Sequence, residues 1–76
     1  MRAVIQRVKY ASVEVDGKMC GRTDTGLLIF LGVGKGDTEP DMKYIADKAL
    51  SVRIFEDENG KMNKSVTDIG GGVLIV

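Results

Sequence analysis

The stretch GLLIFLGVGKGDTEPDMKYIADKALSVRIF, residues 26–55, decides the fold. Leu27 to Leu31 is apolar without alternation, the pattern of a strand covered on both faces. Gly32 to Asp37 is a glycine-rich loop. A helix start follows. Thr38 is a good N-cap, and Asp41 three residues later completes a capping-box-like pair. Glu39 and Pro40 fall in the first turn, where a missing N–H costs nothing and negative charge meets the helix dipole favourably. Met42, Ile45, Ala46, Ala49 and Leu50 recur at helical spacing and make one apolar face. Asp41, Lys43, Asp47 and Lys48 point mostly the other way. The spacing predicts a helix over about residues 39–50. Val52 to Phe55 reads as a strand, so residues 27–55 predict a right-handed βαβ crossover.

On the N-terminal side, residues 2–8 predict a strand with Val4, Ile5 and Val8 as its apolar members. Ala11 to Val15 alternates cleanly, with Val13 and Val15 on one side and Ser12 and Glu14 on the other. Asp16-Gly17 suits a type I′ hairpin, in which both central residues take positive φ. The return strand is Lys18 to Arg22, with Gly21 as a bulge or close-approach point. Thr23 to Gly26 is a turn. On the C-terminal side, Glu58-Asn59-Gly60-Lys61 is a turn signal of the Asn-Gly kind, and Lys61 to Val66 is extended. The glycines Gly70, Gly71 and Gly72 form a hinge into Val73 to Val76, which reads as the first half of a buried strand. The fold class is α+β: a mostly antiparallel, β-barrel-like sheet with one amphipathic helix.

Seventy-six residues make at most one small domain. Such a chain buries only about 60% of the surface that its unfolded form exposes, so small scaffolds often need a staple. Cys20 is the only cysteine and there is no histidine, which excludes a disulfide and a closed zinc site. Oligomerisation is the staple left, and a homodimer is expected. Eleven basic and eleven acidic residues balance to zero. That argues against a general nucleic-acid coat protein, and no DNA partner is expected. MRAVIQRV has no apolar h-region, and Leu27 to Leu31 is too short to span a membrane. No membrane partner and a reducing, cytoplasmic setting are expected. Without histidine there is no Ser-His-Asp or Cys-His chemistry within the chain.

The remaining polar groups each have a bland reading. Gly34-Lys35-Gly36 before a helix invites phosphate binding, but the Walker spacing is absent and Glu39 and Asp41 would repel an anion. Glu56, Asp57, Glu58 and Asp68 lack EF-hand spacing, and Asn59-Gly60 explains their segment as a turn. Cys20 has no activating neighbour and reads as a packing residue. Ser65 and Thr67 read as capping or turn residues. Gln6 and Arg7 sit in an otherwise apolar strand, and two readings stand: an exposed edge-strand pair or a site pair. By itself the chain reads as an α+β domain with no catalytic constellation.

Five blocks in order carry a resemblance: MRAVIQRV, ASVEVDG, GLLIFLGVGKGDTEPD, ADKALSVRIFEDENGKMNKSV and DIGGGVLIV. The chain resembles the D-aminoacyl-tRNA deacylases, also called D-tyrosyl-tRNA deacylases, over its whole length. The resemblance implies hydrolysis of the ester between a D-amino acid and the 3′ end of tRNA. It implies no metal or other cofactor and a homodimer with active sites at the interface. It also implies a mechanism resting on backbone groups and the RNA's own 2′-hydroxyl. Family members run to roughly twice this length, a domain of ~150 residues. Their Ser-Gln-Phe-Thr-Leu block, which carries a key Thr, follows the strand that matches Val73 to Val76. Their Gly-Pro motif lies near the C-terminus. Neither is in this chain, and Pro40, preceded by Glu39 at a helix start, is no substitute. The resemblance therefore assigns no catalytic residue here. It carries over only Gln6 and Arg7, with Arg7 in a role that supports the Gly-Pro loop. The expectation is the N-terminal part, residues 1–76, of a single deacylase domain, inactive alone. The alternative is a non-catalytic module that dimerises or takes up a strand at its last strand.

Overall fold

The computed structural model describes residues 1–76. Its elements are β1 (Arg2–Val8), β2 (Ala11–Val15), β3 (Lys18–Thr23), β4 (Gly26–Gly32), α1 (Glu39–Ser51), β5 (Phe55–Glu56), β6 (Met62–Lys64) and β7 (Gly72–Ile75). They form a three-stranded sheet in the order β1-β4-β7 and two hairpins, β2-β3 and β5-β6. The α+β class read from the sequence holds, and the helix extends one residue past the expected end.

β1 and β4 pair antiparallel from Arg2↔Gly32 to Val8↔Gly26. Residues opposite each other share a face, so Ile5 and Ile29 point together toward the helix. The core holds Leu27, Ile29, Ala49, Phe55 and Val66, with Ala3, Ile5, Ile54 and Ile69 packed against it. Burying an aliphatic or aromatic side chain contributes about 1.5–3 kcal/mol, so five make a thin core. β4 is not covered on both faces as its sequence suggests. Leu27 and Ile29 are buried, but Phe30 on the other face is 45% exposed. The β2-β3 hairpin packs on the β7 side of that face, where Gly21 lies against Leu74.

The expected crossover over 27–55 is corrected. The strand that returns parallel to β4 is β7, in register Gly26↔Gly72 to Ile29↔Ile75. Val52 is the C-cap of α1, and β5 pairs antiparallel with β6 instead. The backbones of β4 and β7 meet where a Cβ on Gly26 would overlap Gly72, and residues 52–55 offer no glycine for so close an approach; the Ile54 carbonyl instead accepts from Arg7 Nη1 of β1.

Local signals fared better. Asp16 and Gly17 have φ of 51° and 77°, the type I′ pattern. Val13 pairs with Gly21 and Glu14 with Met19, which leaves Cys20 as the extra residue of a bulge. The Asp41 carboxylate accepts from the Thr38 backbone N–H at 2.9 Å and from its hydroxyl at 3.1 Å. The three glycines are more than a hinge. Gly71 N–H donates to the Val66 carbonyl and Gly70 N–H to the Thr67 carbonyl, with Gly70 at φ 64°. That is the Schellman pattern, and it turns the chain back toward β4.

The helix lies over β1 and β4 without closing on them. Of its apolar face only Ala49 is buried; Met42 is 53% exposed. Met42, Ile45 and Ala46 on the helix and Ile29, Leu31 and Ile75 on the sheet wall an apolar slot of about 400 Å³. The molecule is flat, 42 × 34 × 15 Å. Its radius of gyration is 13.6 Å, where a compact chain of this length has about 11 Å.

Candidate functional site

Arg7 stands on β1 opposite Leu27 of β4. Its guanidinium Nη1 donates to the Ile54 carbonyl at 3.0 Å and lies 3.3 Å from Met62 Sδ. One side chain thus ties β1 to the segment after α1 and to β6. Beside it opens a cleft of about 540 Å³ lined by Arg7, Val8, Lys9, Thr25, Phe55 and Glu56. Two cations face one carboxylate there, so the cleft favours an anionic ligand. Phe55 roots its floor in the core at 4% exposure.

Gln6 is adjacent in sequence but on the opposite face of β1, paired with Leu28 and exposed. The structure therefore does not bring Gln6 and Arg7 together; strand alternation separates them. Lys9, Thr25 and Glu56 join Arg7 in the cleft and were missed in the sequence. The only available signal was the proximity of Arg7 and Lys9, two cations near and just past the end of β1.

The other polar candidates have separate local roles. Asp37 Oδ2 accepts from Gly34 N–H at 2.6 Å, and Asp37 Oδ1 pairs with the Met1 ammonium at 2.8 Å. The Gly34-Lys35-Gly36 loop is thus occupied by a carboxylate of its own chain. These two contacts, the ammonium first, hold the Asp37 carboxyl below its ordinary range. Asp57 accepts from Lys61 and Asn59 backbone N–H groups, which lowers its pKa and fixes the β5-β6 turn. In that turn Gly60 alone has positive φ, so Asn59-Gly60 is not a two-residue I′ turn. Gly60 N–H donates to the Asp57 carbonyl instead. Glu58 pairs with Lys64 at 3.6 Å. Asp68 accepts from Ser65 N–H at 2.9 Å, and its own N–H donates to Ser65 Oγ at 3.2 Å. No group of three or more His, Cys, Asp or Glu side chains is placed to hold a metal ion. Cys20, expected to pack, is exposed, on a stretch of the hairpin where residues 14–20 are all exposed.

The sequence profile of the D-Tyr-tRNA(Tyr) deacylase family matches residues 4–76. The D-aminoacyl-tRNA deacylase of Thermosipho africanus is 62% identical over 76 residues, which is all of this chain and 51% of the relative. That of Clostridium botulinum is 57% identical with the same coverage. The solved structure of a c-Myc DNA Unwinding Element Binding Protein superposes with a TM-score of 0.92 at 39% identity, over 99% of this chain and 51% of that one. This chain spans about half the length of the curated relatives it matches. The similarity runs unbroken through the helix, the cleft and β7, and the chain belongs to the D-Tyr-tRNA(Tyr) deacylase family.

Proposed function

We propose that this chain forms the N-terminal half of a D-aminoacyl-tRNA deacylase and that, as 76 residues, it does not catalyse by itself. The reaction is hydrolysis of the ester between a D-amino acid and the tRNA 3′ end, in a cytoplasmic, homodimeric enzyme. The observation that carries this reading is end-to-end identity of 62% with a named deacylase of which only 51% is covered.

Arg7 then acts as a positioning residue rather than a catalytic one. Its Nη1 is already committed to the Ile54 carbonyl, so it ties β1 to the wall of the cleft. Lys9 is the cation in the cleft without such a bond, and it suits the phosphate nearest a bound tRNA end. Gln6, exposed on the other face of β1, has no part in this cleft.

The test is release of D-tyrosine from D-Tyr-tRNA by the purified 76-residue chain. No release above a buffer blank is expected. Release above the blank overturns the statement that this half is inactive.

A further inference from the structure

The chain exposes more surface than a compact folded monomer of its mass. Its accessible area is 5652 Å² at 8.2 kDa. A folded monomer of that mass exposes about 4,500 Å². The excess of about 1,100 Å² exceeds the roughly 800 Å² that each partner gives to a standard interface.

Two neighbouring features account for an uncovered region. One is the slot between α1 and the sheet. The other is the outer edge of β7. Gly72 N–H donates to Thr25 O, Val76 N–H to Ile29 O, and Leu31 N–H to Val76 O. Gly72, Leu74 and Val76 therefore turn their backbone groups toward β4. Val73 and Ile75 turn theirs to the open edge. Ile75 is 60% exposed and also walls the slot, so the edge and the slot are continuous. A strand added along β7 would lie beside the slot, with alternate side chains directed into it.

We propose that the β7 edge and the slot together dock the other half of the deacylase fold, and that this docking needs no covalent link between the halves. This rests on the family reading above. The relatives carry about as many residues again as this chain matches, so they supply an occupant of adequate size. The wall of the slot is apolar apart from Lys43, so the arriving segment presents apolar residues on its inner face. A second copy of this chain fits less well. Pairing β7 with its own symmetry mate would extend the sheet but bring a second open slot, leaving the apolar walls uncovered.

The experiment mixes the 76-residue chain with a polypeptide comprising the part of the Thermosipho africanus relative outside its matched segment. A complex of one probe per chain is expected, with amide exchange at Val73 and Ile75 slowed at least about tenfold. Ala46→Trp fills the slot from an exposed helix position. It is expected to weaken the complex by about tenfold or more while leaving the circular dichroism of the chain unchanged. No complex at ~100 μM of each partner overturns the proposal. So does a complex in which Val73 and Ile75 exchange freely, or one indifferent to Ala46→Trp. Co-expression with a tag on the probe alone covers a probe that is insoluble by itself: copurification supports the proposal and separation overturns it. D-Tyr-tRNA hydrolysis is read separately. A complex without hydrolysis upholds the docking and counts against the deacylase reading; failure to bind counts against the docking alone.

Discussion

Met1 and Asp37 show how much rests on single groups in a chain this thin. The Met1 ammonium pairs with the Asp37 carboxylate at 2.8 Å, and the Met1 side chain is only 6% exposed. Met1 also lines the slot, so the pair anchors β1 to the loop before α1. The Asp37 pKa is depressed below its ordinary 3.8 by the ammonium and then by Gly34 N–H. A depressed carboxylate contributes stability that is fully present above its unfolded pKa and is lost as pH falls through the folded one. Asp37→Asn should therefore lower Tm at pH 6, and the difference from the parent should shrink below pH 3.8 and vanish at lower pH. Thermal melts across a pH series check this; a difference that persists undiminished in acid would falsify the ammonium pair as its cause. The pair was not legible in the sequence, because the partners are 36 residues apart and neither type is distinctive.

At the scale of elements, the junction of β4 and β7 depends on two glycines. Gly26 and Gly72 are register partners in the parallel pair. A Cβ on Gly26 would overlap the Gly72 backbone, and one on Gly72 would overlap the Thr23 side chain. Backbone cannot yield as a flexible side-chain tip can. Gly26→Ala is expected to destabilise by about 1–3 kcal/mol or more, as overpacking in a tight core does. Urea unfolding, read at constant m, measures it; an unchanged midpoint would show that the strands can separate at no cost. Gly21 is a contrasting case, since its added Cβ would meet only Leu74 Cδ1 at 2.9 Å. Turn and cap chemistry was legible here: Asp16-Gly17 and Thr38/Asp41 act within a few residues. The partner of β4 was not, since the choice between residues 52–55 and 72–75 rests on contacts between segments far apart in sequence.

Both faces of the three-stranded sheet are incompletely covered. Val4 at 55% and Phe30 at 45% exposure face away from the helix, beside Gln6. That face is distinct from the β7 edge and suits a second copy. A homodimer in analytical ultracentrifugation is the expected state; a strictly monomeric species across the accessible concentration range would remove it. No helix is long and apolar enough to cross a membrane.

Family membership, the α+β class, the helix with its cap and the first hairpin were all determined by the sequence itself. They rest on short-range chemistry and on identity that survives along the whole chain. The tertiary structure decided the rest: which strand lies beside β4, that Gln6 and Arg7 look to opposite faces, and that Lys9, Thr25 and Glu56 share a cleft with Arg7. It also decided that the apolar face of α1 encloses a slot instead of a closed core. Such outcomes depend on contacts between residues distant in sequence, and local periodicity carries no information about which distant partner wins.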